Sequence, residues 1–253
     1  GFPSAWPGAS PPMDSFTPDE HAIPLSLPCV QGPAHARLHG QLSLHPAAPG
    51  LVVLAYAAPA LDAREHVLAG ILRHAGLSTL AIDLVAREEE HYPDLHNNVP
   101  LLARRLVDVL DLIKTRMLMG ELQTLPFGLC AAHATSPVAV RVAALRDHDI
   151  AAVVCRGGLI DLAGLLYLRT LEAPLLQLVE ENDAAQLAAA RRAQKELQAL
   201  STVRTIPEIG FEIAGSAGFE AAARETTQWF CKHFTRHASS TTSGQPCARA
   251  PPL

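Results

Sequence analysis

Apolar and polar positions follow two rhythms along this chain. Residues 21–45 alternate with a period of two, as in HAIPLSLP and ARLHGQLSLH, which predicts two antiparallel edge strands joined near Gln31-Gly32. Short apolar runs rich in β-branched residues then recur: LVVLAY (51–56), LSTLAIDL (77–84), LPFGLCA (125–131), IAAVVCR (150–156), APLLQLVE (173–180) and TVRTIP (202–207). Runs of this length and composition predict strands covered on both faces. Between them the period changes to that of a helix, at residues 60–76, 99 to about 119, 136–146, 184–199 and 217–234. In the second of these, Arg104, Arg105 and Asp108 fall toward the polar side of the pattern.

Strands alternating with helices predict an α/β fold, a mainly parallel sheet with helices on both faces. Ligands in such sheets bind beyond the carboxyl ends of the strands. Here those ends are Tyr56–Pro59, Asp83–Glu90, Ala131–Thr135, Arg156–Gly158, Glu180–Asp183 and Pro207–Phe211. Residues 1–20 are rich in Pro, Gly and Ser and predict a loose arm; 21–236 form the domain; the low-complexity tail 237–253 predicts disorder. Met13 is a candidate natural start, and GFPSAWPGASPP lacks the basic and apolar regions of a secretory signal.

Composition narrows the function classes. With 253 residues, a net charge of −5 and mean hydropathy of +0.15, the chain buries a substantial core and offers no electrostatic reason to bind nucleic acid. No apolar run reaches the roughly 18 residues of a membrane span. The five cysteines are scattered without a C-x-x-C pair, as expected of reduced thiols in a cytoplasmic protein. Arginine in excess of lysine fits, by association only, a GC-rich bacterial source.

The order and spacing of APGLVVLAY, AGLSTLAIDL with its acidic EEE loop, NNVPLLARRL, AAVVCRGGLIDLAG and the closing helix with Trp229-Phe230 resemble the α/β-hydrolases, and within them the bacterial dienelactone-hydrolase-like branch. The similarity runs over about residues 20–236. It implies an α/β-hydrolase fold with Ser, Asp and His in that chain order, the serine on a G-x-S-x-G elbow. Position by position this chain has Ala131-Ala132-His133-Ala134-Thr135 there, with His133 at the nucleophile position. Alanine is small enough for the turn, and histidine is among the residues that tolerate positive φ. The acid position is kept as Asp183, which would equally serve as a helix cap. The base position holds Phe211, and no histidine occurs between Asp183 and His233. The His-Gly that many relatives carry after the first parallel strand is Tyr56-Ala57.

These departures predict a degenerate triad at His133, Asp183 and Phe211, no catalytic residue, and a former cleft lined by Tyr56, Ala57, His133, Arg156, Asp183 and Phe211. His133 has no phosphate-cradling loop beside it; Cys130 lies in a strand; Ser136 falls in the first turn of a helix. The twelve histidines form no persuasive metal site, and no cofactor is implied. The expectation is a catalytically inactive α/β-hydrolase-like protein acting as structural subunit, scaffold or binding module, with a protein partner or a homo-oligomer. The alternatives are a hydrolase of an ester, thioester or lactone with a rearranged site, and a sensor holding a small-molecule ligand in the pocket.

Overall fold

The computed structural model describes residues 21–57, 63–210 and 216–241, without the side chains of Ala63 and 238–241. The predicted arm 1–20, Phe211 and the tail beyond residue 241 lie outside the described residues. The strands are β1 (Ile23–Pro28), β2 (Arg37–Ser43), β3 (Leu51–Tyr56), β4 (Ser78–Asp83), β5 (Phe127–Ala132), β6 (Ile150–Arg156), β7 (Leu175–Glu180) and β8 (Ser201–Ile206). The helices are α1 (Ala63–His74), α2 (Val99–Leu118), α3 (Ser136–Leu145), α4 (Leu165–Thr170), α5 (Ala184–Gln194) and α6 (Ala217–Thr241).

All eight strands form one sheet in the order β1-β2-β4-β3-β5-β6-β7-β8. β1 and β2 pair antiparallel, β2 meets β4 antiparallel, and the remaining pairs are parallel. The continuous apolar runs are buried as their pattern requires: every residue of β3 and of β6 is buried. α1 and α6 cover one face, with Leu68, Leu72, Phe230 and Phe234 against β3 and β5. α2 and α3 carry the core of the other face, joined by Leu168 of α4 and Ala193 of α5.

α2 shows why the sequence folds so locally. Asn98 accepts a hydrogen bond from Leu101 N–H at 3.2 Å, Pro100 sits in the first turn, and Leu102, Leu106, Val109, Leu110 and Ile113 form one buried stripe. Arg105 departs from the expected polar face: it is fully buried. Its guanidinium holds both oxygens of Glu89 at 2.8 Å and also donates to Leu84 O (2.9 Å) and Val30 O (3.1 Å). Glu89 accepts besides from Ala86 N–H (3.0 Å) and the Cys29 thiol (3.2 Å). This ion pair ties the loop after β4, the β1–β2 hairpin and α2 together. Two helix ends also differ from the pattern: α5 stops at Gln194, and α6 runs past His237 to Thr241.

Candidate functional site

β5 delivers the chain to its sharpest bend at the carboxyl end of the sheet. Ala132 is still extended (φ −139°, ψ 146°), His133 turns into the left-handed region at φ 52°, and α3 begins at Ser136 with Pro137 in its first turn. This is the strand–elbow–helix geometry that the small residues 131–134 allow, with histidine at its apex. Two side chains pin the bend. Thr135, at the position of the second motif glycine, has Ala55 O at 3.1 Å and Ala132 O at 2.9 Å as the two acceptors of its single hydroxyl proton, which joins the elbow to β3. Ser136 donates to Gly157 O at 2.8 Å, which joins it to the turn after β6. Both hydroxyls are buried.

The His133 ring lies over Gly157, and its backbone carbonyl abuts Gly158. A Cβ on Gly157 would stand 3.0 Å from His133 Nδ1, and one on Gly158 only 2.1 Å from the His133 carbonyl oxygen. Both glycines also have positive φ, 68° and 82°, so two independent constraints require glycine here. The residue as a whole is exposed at the mouth of the bend. Partial desolvation and the neighbouring Arg156 charge hold its pKa below the ordinary histidine value.

Around the ring is a cleft of about 70 Å³, lined by Arg64, His133, Arg156, Gly157, Gly158, Leu178, Glu180, Asp183, Gln186, Ile206 and Ile209. That is room for about two water molecules, against several hundred Å³ for a typical small-molecule pocket. Much of the lining is already engaged. Arg156, buried at the end of β6, is ion-paired with buried Glu65 of α1. Asp183 caps α5 by accepting from Gln186 N–H at 3.0 Å. Glu180 accepts from Ile209 N–H at 3.0 Å, Arg64 donates to Gly210 O at 2.7 Å, and the Gln186 amide donates to Gly158 O at 2.5 Å.

The structure thus brings His133, Arg156 and Asp183 into one cleft. Tyr56 and Ala57, expected there, are not among its described lining. Tyr56 is 6% exposed, its ring edge-on to His66 with centroids 6.4 Å apart, and Ala57 packs against the core of the α2–α3 face. The reason is the pleat: the last residue of β3 turns its side chain toward α1. Glu180 lines the cleft from the strand end named for it, whereas Arg64, Glu65 and Gln186 were missed, because only tertiary packing carries α1 and α5 to the strand ends. The loop 84–98 contributes as well, since its turn Leu95–Asn97, which carries His96, packs on the His133–Thr135 turn.

All twelve histidines of the chain are described. Of these, His133 is the one in the described lining of the cleft with Asp183. His233 is buried against Trp229 (centroids 4.4 Å apart), and His237 lies by the opposite end of the sheet, near Lys114 and Phe127. The thiols nearest the bend are unsuited to nucleophilic work: burial raises Cys130 strongly and pushes Cys155 up to about 12. Among the described residues no group of three or more His, Cys, Asp or Glu could hold a metal ion, and no helix is long and apolar enough to cross a membrane.

Comparison with solved structures now bears directly on this geometry. Dienelactone hydrolase from Anabaena variabilis superposes with a TM-score of 0.74 at 29% identity, covering 84% of this chain and 97% of that one. The chain has a dienelactone-hydrolase-like α/β-hydrolase fold. A cold-adapted esterase from an Arctic intertidal metagenomic library shares the fold at a TM-score of 0.62 and 15% identity, over 85% and 98% of the two chains. Two strains of Mycobacterium tuberculosis carry relatives named "Putative phosphoribosyl transferase", 30% identical over 196 residues. That match spans 77% of this chain but only 43% of those proteins. No family model matches the chain.

Proposed function

We propose that this chain is an α/β-hydrolase-like domain without hydrolytic activity, serving as a structural or binding module of a larger assembly. One observation carries the reading. The elbow bend is intact, yet its apex is His133, and the hydroxyls beside it, Thr135 and Ser136, are spent on backbone carbonyls. A hydroxyl nucleophile needs an adjacent base, and the one imidazole in the described cleft occupies the nucleophile's own place. The Asp183 carboxylate caps a helix, and Arg156 is committed to Glu65. Selection on shape accounts for a bend this well stitched without its chemistry.

The larger assembly is supported by the lengths of the relatives, more than half of each lying outside the match. We read phosphoribosyl transfer as belonging to that unmatched part. A second reading, a hydrolase with His133 in an altered role, is favoured by the 29% identity with the dienelactone hydrolase over nearly its whole length. The two separate in one assay. Purified chain is given p-nitrophenyl acetate and butyrate, with heat-denatured chain as the control for hydrolysis by free imidazole. The expected result is no turnover above the control, unchanged by His133→Ala. Saturable turnover reduced about a thousandfold or more by His133→Ala would overturn the proposal, that being the scale on which an essential nucleophile or base acts.

A further inference from the structure

The turn that lines the cleft continues into a surface of unusual composition. After Gly157-Gly158 the chain forms a short 3-10 turn (Ile160–Ala163) and then α4. Ile160, Ala163, Leu168 and Leu171 face the core. The outward positions are apolar too: Leu159 is 43% exposed, Leu162 60%, Leu165 47% and Leu166 65%. A segment wrapping a core ordinarily shows polar residues on its outer side. Four open leucines within eight residues together expose on the order of 400 Å² of apolar surface, the size at which the largest patch on a monomer is often functional.

The rim decides which occupant fits. Asp161 lies between the leucines, and Arg169 stands one turn beyond Leu165 and Leu166, held by Glu196 at 3.1 Å. The patch thus carries one charge of each sign, exposed Asp161 among the leucines and Arg169 at their edge. On a chain of net charge −5, this is the surface that a second identical copy could approach without meeting a wall of like charge. A two-fold contact presents the same patch from both sides. The leucines supply about half of the roughly 800 Å² per partner that a standard interface buries, as its apolar centre, and the charged rim supplies the remainder.

We propose that the 159–170 face is the homodimer interface of this protein, formed by two-fold packing of Leu159, Leu162, Leu165 and Leu166 on their copies. It gives the subunit role a location but does not depend on catalytic silence, since an active hydrolase could dimerise in the same way. Sedimentation velocity therefore tests it separately from the ester assay. The full chain is examined up to a concentration on the order of 100 µM, above the Kd of a weak interface. The wild type is expected to sediment as a dimer, with Leu162→Glu and Leu166→Glu each raising its dissociation constant at least tenfold. Both side chains are more than half exposed, so the monomer should keep its fold, checked by an unchanged thermal midpoint at concentrations where all forms are monomeric. A Leu118→Glu control, exposed by 78% at the end of α2 and outside the 159–170 segment, is expected to leave the dimer intact. A wild type that stays monomeric throughout, or a dimer that survives both substitutions, overturns the proposal.

Discussion

Replacing Arg105 by methionine removes the positive half of an ion pair that is buried on both sides, Arg105 at 0% and Glu89 at 3% exposure. The variant leaves a carboxylate in the interior with only the Ala86 N–H and the Cys29 thiol to solvate it, and strips donors from Leu84 O and Val30 O. Breaking one side of a buried pair costs about 3–5 kcal/mol, far more than a surface pair. For a domain of this size each kcal/mol moves Tm by about 2–4 °C, so a fall on the order of 10 °C is expected. Glu89→Met should cost a similar amount by orphaning the guanidinium. The double variant should cost no more than either single one, because neither charge is then left alone, which corresponds to a coupling of at least about 3–5 kcal/mol.

The same pair makes an acid-side prediction. Burial alone would raise the Glu89 pKa, but the Arg105 hydrogen bonds and the Ala86 N–H overcome it and hold the group below its ordinary value. A depressed folded-state pKa contributes stability that is present above the unfolded value near 4.5 and lost as pH falls through the folded one. In Arg105→Met burial acts unopposed by the guanidinium, so the sign reverses and the variant should gain ground on the wild type as the solution is acidified. Urea unfolding followed by fluorescence, with Trp229 buried as a reporter, measures both effects. Additive costs in the double variant, or a single-variant loss under about 1 kcal/mol, would refute the assignment of this pair as the clasp of the β4 loop.

Two further outcomes probe the elbow and its surroundings. Thr135→Val should lower stability by about 1–3 kcal/mol by removing the one hydroxyl proton that the carbonyls of Ala55 and Ala132 share, measured by the same urea titration, and a neutral effect would mean the bend stands without that stitch. Burial raises Asp83, at the end of β4, to about 7, so its contribution to stability is full below about pH 4 and lost as pH rises through 7. Asp83→Asn should therefore flatten the fall in urea midpoint between those limits, and an unchanged slope would place the proton elsewhere.

How much of this was legible beforehand follows the range of the forces involved. Strand runs such as LVVLAY and the capped stripe of α2 depend on neighbours in sequence, so their burial and period were readable to within a residue or two. The bend at His133 was legible for the same reason: small residues and a histidine tolerant of positive φ sit side by side. Arg105 was misread because an amphipathic pattern registers charge but not the distant carboxylate that neutralises it. Arg64 and Glu65 escaped notice because α1 reaches the cleft only when β3 and β6 lie in one sheet, and Tyr56 was misplaced because the pleat, not the chain order, decides which way a strand's last side chain points. The sequence by itself determined the succession of elements and the absence of a serine at the bend, since both are properties of local residue type. Tertiary structure alone decided which hydroxyls were spent, which charges were paired and which leucines stayed open, since each depends on segments that meet only when the chain is packed.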